Sequence, residues 1–318
     1  MVYDTIIVGG GIAGLQAAIQ LGRSLRRVLV IDNHNGRSSI AKDYRNILGF
    51  RDGVSGDALR ESGYEQARMF GVQFLEGEAT FCEQEEGGLF CVTLRDQKEH
   101  YQAHTLVVAT GISDKIPEIP GIMPCLGESI YICPDCDGYE VRNKKTVIIG
   151  SGQQGLAMAK RVRYFTDEIV IINHDRSLLE PDEAAEIKES GFAYYEEPIT
   201  SLQQEAGRLQ SVTLQSGTKI DAANGFVAFQ GGYVNSEILK NFSVDLLPNG
   251  HVIVDPRTKE TSHRNLWAVG DLAAHSQMVT IAMGDGSQAA IWIHKRLFEL
   301  GQDEAKMSKV EEPVNACV

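Results

Sequence analysis

A chain of 318 residues is long enough for two domains, each burying a core of its own. Its 43% apolar and 23% charged residues fit a globular α/β protein rich in tight turns, and no run of about 18 apolar residues is present to span a bilayer. The formal net charge of −13 repels nucleic acid and anionic membrane surfaces, so neither is expected as a partner.

The N-terminus enters a strand pattern at once, without the charged and apolar regions of a signal peptide, which predicts a cytoplasmic protein. The β-branched run at residues 3–8 leads into Gly9-Gly10-Gly11-Ile12-Ala13-Gly14 and a helical pattern through Leu15, Ala18, Ile19 and Leu21. A second strand, Val28 to Ile31, ends at Asp32, about 18 residues beyond Gly14. In such a unit Gly9 makes the turn, Gly11 lets backbone approach a pyrophosphate, Gly14 lets helix pack on strand, and Asp32 accepts from ribose hydroxyls. The spacing predicts a bound dinucleotide.

A polar loop, Asn33 to Asp43, precedes Arg45-Asn46-Ile47-Leu48-Gly49-Phe50 and an amphipathic helix from about Ser55 to Phe70. Alternating segments over residues 72–108 end in Ala109-Thr110-Gly111, a buried strand end where backbone can meet ligand, or an ordinary turn. The proline-rich stretch Ile116 to Gly121 reads as a connector, with a domain boundary near residue 113.

Next comes Cys133-Pro134-Asp135-Cys136-Asp137-Gly138. Two cysteines at this spacing can close a small ring, and a depressed sulfur pKa would make them a redox dithiol. A zinc half-site needs a second Cys or His pair, which is absent, so no metal is expected. Two core-filling cysteines are the plainer alternative, against which the polar and turn-forming neighbours weigh. Asp137 is a candidate general acid, or else a turn aspartate. Cys82, Cys91, Cys125 and Cys317 stand alone, and six cysteines with one close pair suit a reducing compartment.

The strand Thr146 to Ile149 runs into Gly150-Ser151-Gly152-Gln153-Gln154-Gly155 and a helix, repeating the N-terminal plan. After the strand Ile169 to Ile172, Asp175 stands about 20 residues past Gly155 and suits a ribose hydroxyl, while Arg176 suits a 2′-phosphate. A retained fold with no nucleotide is the alternative. An apolar strand from Gly225 to Phe229 follows, the chain after Asn249-Gly250 reads as returning strands, and the strand at Leu266–Val269 ends in Gly270-Asp271. A helix from about Gln277 to Leu300 would aim its positive end at a ligand, before an acidic tail expected to be mobile.

In their order, Gly9 to Gly14, Asn46 to Gly56, Ala109 to Gly111, Cys133 to Gly138, Gly150 to Gly155 and Gly270-Asp271 resemble the low-molecular-weight thioredoxin reductase family of FAD-dependent pyridine nucleotide-disulfide oxidoreductases over nearly the whole chain. The resemblance implies an α/β fold of two Rossmann-like three-layer domains, the second inserted in the first: an FAD domain at 1–112 plus 247–318 and an inserted NAD(P)-binding-like domain at 113–246. It implies FAD held by Gly9, Gly11, Ala13, Gly14, Asp32, Asn46, Thr110, Gly111, Gly270, Asp271, Gln277, Met278 and Val279. It further implies Cys136 facing the flavin, Cys133 exchanging with the substrate disulfide, Asp137 as acid, a homodimer, and thioredoxin or a similar small redox protein as partner.

Two departures from the family pattern stand out. Where the family carries His-Arg-Arg and a further arginine, this chain has Asn173-His174-Asp175-Arg176-Ser177-Leu178-Leu179, so the nucleotide at Gly150, Gly152, Gly155, Asp175 and Arg176 is open between NADPH, NADH and none. Ser276-Gln277-Met278 replaces Arg-Gln-Ala. The expectation is a thioredoxin-reductase-like enzyme with a donor other than NADPH, ferredoxin among them, with an oxygen-using dithiol oxidase or a non-catalytic flavoprotein redox sensor as alternatives.

Overall fold

A computed structural model describes residues 1–95 and 99–301. Cys317 and the acidic tail lie outside the described residues. The chain forms two compact units, the first from residues 1–36, 60–111 and 234 onward, the second from 37–59 and 112–233.

In the first unit the strand Val2–Val8 is central, parallel to Val28–Asp32 on one side and His100–Val108 on the other, with Gln73–Glu76 beyond Val28–Asp32. Ile6 and Ile7 point to opposite faces and are both fully buried, as a parallel sheet covered on both sides requires. Burial of each such side chain contributes about 1.5–3 kcal/mol, which is why the strand reads as an apolar run instead of an alternating one. His100–Val108 is shared: its start pairs antiparallel with Phe90–Leu94, and Leu106–Val108 pairs parallel with Leu266–Ala268. The helices Ile12–Arg23 and Val279–Glu299 cover one face, burying Ala17, Leu21, Ala289 and Ile293 together with Trp267.

The second unit repeats the plan. Five parallel strands run in the order Ala193–Tyr195, Ile169–Asn173, Thr146–Gly150, Asn224–Ala228, Ile130–Tyr131, and the helix Gly152–Val162 buries Leu156, Ala159 and Val162. An antiparallel sheet of Ile199–Glu205, Arg208–Leu214 and Lys219–Asp221 adds Leu202, Val212 and Ile220 to the core on the sheet's other side.

The chain divides differently from the expected boundaries in two places. Residues 234–246 belong with the first unit because Asn235 donates to Gly111 and Thr110 carbonyls, at 3.0 Å from N and 2.8 Å from Nδ2, and Ile238, Leu239 and Phe242 join its core. Residues 37–59 belong with the second, held by the Arg37–Asp114 ion pair at 2.7 Å and a close approach of Gly127 to the Ile40 carbonyl. The returning strands expected after Gly250 are mostly single bridges, and among the described residues only Leu266–Ala268 is a strand there. Asp255 explains this: its Oδ1 accepts from the Arg257 and Thr258 N–H groups, at 3.0 and 2.7 Å, and turns the chain before a ladder can extend. No described helix is long and apolar enough to cross a membrane.

Candidate active site

Cys133 precedes the one-turn helix Pro134–Asp137, and proline at its first position presets the turn that brings Cys136 back over Cys133. The sulfurs lie 2.7 Å apart as two thiols, close enough to share one proton. A hydrogen bond from the Cys136 thiol holds the Cys133 pKa below that of an ordinary cysteine, against the opposing effect of burial. Donating that proton, with burial added, pushes Cys136 up. The pair therefore ionises once readily, at Cys133, and a second time only with difficulty. Cys82, Cys91 and Cys125 are buried thiols whose pKa values burial raises, Cys82 to about 12, so they stay protonated and unreactive.

Asp137 follows Cys136 and is half-buried. Burial, with Glu140 adding to it and Arg37 opposing it, pushes its carboxyl up to about 7. A carboxyl at that value both gives and takes a proton near neutral pH, as a general acid beside a thiol pair must. Arg37 also favours ionisation of both sulfurs.

At the first glycine turn Gly9 has φ +107°, and a Cβ there would meet the Ala109 carbonyl oxygen at 2.4 Å. A Cβ on Gly14 would lie 2.0 Å from the Gly9 oxygen, whereas one on Gly11 would meet nothing within 4 Å. The helix Ile12–Arg23 has no side-chain cap, and the space beside Gly11 at its start is open, a setting that suits a pyrophosphate. Asp32 already accepts from Gly10 N–H at 2.9 Å, Arg60 Nη2 at 3.1 Å and the Tyr64 hydroxyl, with His34 Nδ1 at 3.4 Å. Of a carboxylate's roughly four acceptor sites, three are taken. Gly111, at φ +63°, likewise opens to free space, and Thr110 Oγ1 donates to the Asn235 carbonyl at 2.7 Å.

The second glycine turn is filled by its own chain. Gly152 N–H donates to Ser177 Oγ at 2.6 Å and faces Asn173 Oδ1 at 3.1 Å, and a Cβ on Gly152 would meet Ser177 Oγ and Leu179 Cδ2 at 3.0 and 3.1 Å. Asn173, 1% exposed, locks the loop by donating from Nδ2 to the Ser177 carbonyl and the Tyr194 hydroxyl, at 2.8 and 2.9 Å. Arg176 turns to Gln215 at 2.7 Å, and Asp175 Oδ1 accepts from Ser177 N–H at 3.2 Å. His174 Nδ1 accepts from Ile199 N–H at 2.9 Å, and burial lowers its pKa, so it acts as a neutral strut.

Residues 3–286 match the family described as pyridine nucleotide-disulphide oxidoreductase. The chain belongs to that family. The thioredoxin reductase of Mycolicibacterium smegmatis is 29% identical over 309 residues, 94% of this chain and 97% of that protein. The bifunctional thioredoxin reductase/thioredoxin of Mycobacterium leprae is 27% identical over 98% of this chain and 69% of its own length. Among solved structures, the crystal structure of HlmI superposes with a TM-score of 0.83 at 27% identity, covering 96% of this chain and 95% of that one. The protein is an FAD-dependent disulfide oxidoreductase similar to thioredoxin reductase.

The residues fit FAD. The open side of Gly11, the uncapped helix start and the remaining acceptor site of Asp32 can hold its pyrophosphate and ribose, and the bound flavin supplies a two-electron carrier. Gly270, at φ +71°, lies against Ala13, and Asp271 stands on the turn Gly270–Leu272. Gln277 and Met278 precede the helix that Val279 begins, and Gln277 Nε2 donates to His251 Nε2 at 3.1 Å. Asn46 lies in the second unit's segment 37–59.

Sequence reasoning passed over Arg60, Tyr64, Ser177, His275, Lys259 and Asp285. Asp285 left a trace, as the one acid on the buried face made by Ala282, Ala289 and Ile293. The others reach their partners from distant segments and left none.

Proposed function

We propose that this flavoenzyme reduces the disulfide of thioredoxin, or of a similar small redox protein, through Cys133 and Cys136, using a donor other than NADPH or NADH. The Cys133 thiolate attacks one sulfur of the substrate disulfide, forming a mixed disulfide and releasing the other sulfur as a thiolate that takes a proton from Asp137. Cys136 then gives its proton to the Asp137 carboxylate and attacks Cys133, releasing the second substrate sulfur, which is protonated in turn. Two electrons and two protons pass to the substrate, leaving a Cys133–Cys136 disulfide.

The observation that carries the donor reading is the closed second glycine turn. A nucleotide must displace Ser177 from Gly152 and disturb the Asn173 network before making any contact of its own. Two lost hydrogen bonds of about 1 kcal/mol each weaken binding by more than about tenfold. For NADPH the cations that would recover this are turned away, as Arg176 is, or replaced by an acid, Asp175, and for NADH the acid that would meet its ribose, Asp175, already accepts from Ser177 N–H in the closed loop. A protein donor such as ferredoxin needs no such turn.

The test mixes oxidised protein anaerobically with NADPH, NADH or reduced ferredoxin and follows flavin bleaching. Slow bleaching by both nucleotides and fast bleaching by reduced ferredoxin is the expected result. Fast bleaching by micromolar NADPH would overturn the donor assignment, and oxygen consumption driven by a small dithiol alone would replace the reductase with an oxidase.

A further inference from the structure

Asp285 lies on the buried face of the helix Val279–Glu299 and is 3% exposed. A lone carboxylate in such a place costs several kcal/mol, so its partners decide whether it is tolerated. It has three. Gly270 N–H donates to Oδ2 at 3.0 Å, His275 Nε2 to Oδ2 at 2.5 Å, and Lys259 Nζ to Oδ1 at 3.0 Å.

The imidazole is constrained on its other side as well. His275 Nδ1 lies 2.8 Å from the Ser276 carbonyl oxygen, which can only accept. Both ring nitrogens therefore face acceptors, and only the doubly protonated ring satisfies both. The hydrogen bond to Asp285 raises the His275 pKa despite burial, while burial alone would raise that of Asp285 and its bonds to His275 and Lys259 bring it below the ordinary carboxylate range.

We propose that cationic His275 is a positioning residue for FAD: it fixes Asp285, Asp285 fixes the Gly270 N–H, and the anchored turn presents Asp271 to the cofactor. The inference rests on FAD lying against Gly270-Asp271. His275 itself touches the carboxylate and its own loop. The groups facing it are Asp285 on the helix Val279–Glu299, Lys259 on the preceding loop, and His251, which in turn feels Asp271. Burial, with His275 adding to it, lowers the His251 pKa, and its Nε2 accepts from Gln277, so His251 stays neutral in the range where His275 titrates. The helix Ile12–Arg23 meets this region at Gly286 through uncharged Ala13, Gln16 and Ala17.

The sign follows from linkage. A histidine with a raised pKa in the folded state holds its contribution in full below its unfolded value, about 6.5, and loses it as pH rises through the higher folded value. Neutral His275 turns a lone pair toward the Ser276 carbonyl or toward Asp285, and the Gly270 anchor loosens. Both the flavin-free and the bound protein are folded, so FAD affinity falls as pH rises through the raised His275 value of the flavin-free protein, above the ordinary histidine range.

The experiment titrates FAD into flavin-free protein by flavin fluorescence between pH 6 and 9, for wild type, His275→Gln and Lys259→Met. Wild type is expected to bind about tenfold more weakly at pH 9 than at pH 6.5. His275→Gln should start about tenfold weaker and show no slope in that range, whereas Lys259→Met should bind more weakly and keep the slope. A flat wild-type profile, or a slope preserved in His275→Gln, would overturn the assignment, the latter because a purely structural role weakens binding without changing its pH dependence. Asp271→Ala tests the premise separately: unchanged FAD affinity there would remove the cofactor from this turn and the inference with it. Thermal melts of the flavin-free variants identify any that fail to fold, and for His275→Gln the conservative His275→Arg then replaces it, with restored affinity and no slope as the expected result and a retained slope as the overturning one.

Discussion

The two glycine turns share one plan of strand, turn and helix, and they differ in what stands over the turn. At the first, a Cβ on Gly11 would meet open space, while Gly14 is pressed against the Gly9 carbonyl. At the second the relation is reversed: Gly152 is covered by Ser177 and Leu179, while a Cβ on Gly155 would touch only Ile171 Cγ2 at 3.3 Å. A turn that must hold a pyrophosphate keeps its outside free and its inside tight. One that need only join a strand to a helix can let its own chain fill the outside and relax within.

The largest contrast is expected between Gly14→Ala and Gly155→Ala. At 2.0 Å from a backbone oxygen the new methyl group on residue 14 forces the turn open, costing about 3 kcal/mol or more and abolishing FAD binding. On residue 155 the mild crowding is offset by the about 0.5–1 kcal/mol that alanine contributes over glycine in a helix. Thermal melts and flavin content of the two purified variants check this, and equal damage would erase the distinction between the turns.

A second test asks whether the unit with the closed turn still carries live chemistry. Asp137→Asn should lower disulfide turnover by about a hundredfold and remove the decline expected of wild type as pH rises through about 7, where the acid form is lost. The stability effect has its own sign. A carboxyl raised from about 3.9 in the unfolded chain is disfavoured by the fold once ionised, so its cost is absent below about pH 4 and complete above about pH 7. The asparagine variant should therefore melt higher than wild type at pH 8, by on the order of 2–4 °C.

Gly11→Ala and Gly152→Ala sharpen the comparison at smaller amplitude. The first puts a methyl group where FAD must approach, so affinity should fall by about tenfold or more while the flavin-free protein melts normally. The second should leave turnover with the physiological donor within about twofold, since the neighbours that must yield are mainly side chains. The smallest effect is expected from Ser177→Ala, which removes one hydrogen bond from Gly152 and should lower stability by about 1 kcal/mol. Its NADPH reactivity should rise by less than about tenfold, because Asp175 remains where a cation is needed. A larger rise in flavin bleaching would assign the exclusion of the nucleotide to the serine alone.

Much of the molecule was legible along the chain because its signals are local. Apolar runs at residues 3–8 and 146–149, each ended by a glycine motif, report strands buried on both faces, and the spacing of Cys133 and Cys136 is itself the geometry of the dithiol. Glycine positions carried the turns for the same reason, since close backbone approach excludes any other side chain. What only the tertiary structure decided is how ionisable and polar groups from distant segments meet. Asp32 receives Arg60 and Tyr64 from a later helix, Gly152 is covered by Ser177 twenty-five positions on, and Asp285 gathers Lys259, His275 and Gly270. Such contacts depend on distance in space and on burial, which sets the energy of each charge, and neither quantity has a period or a spacing that a sequence can display.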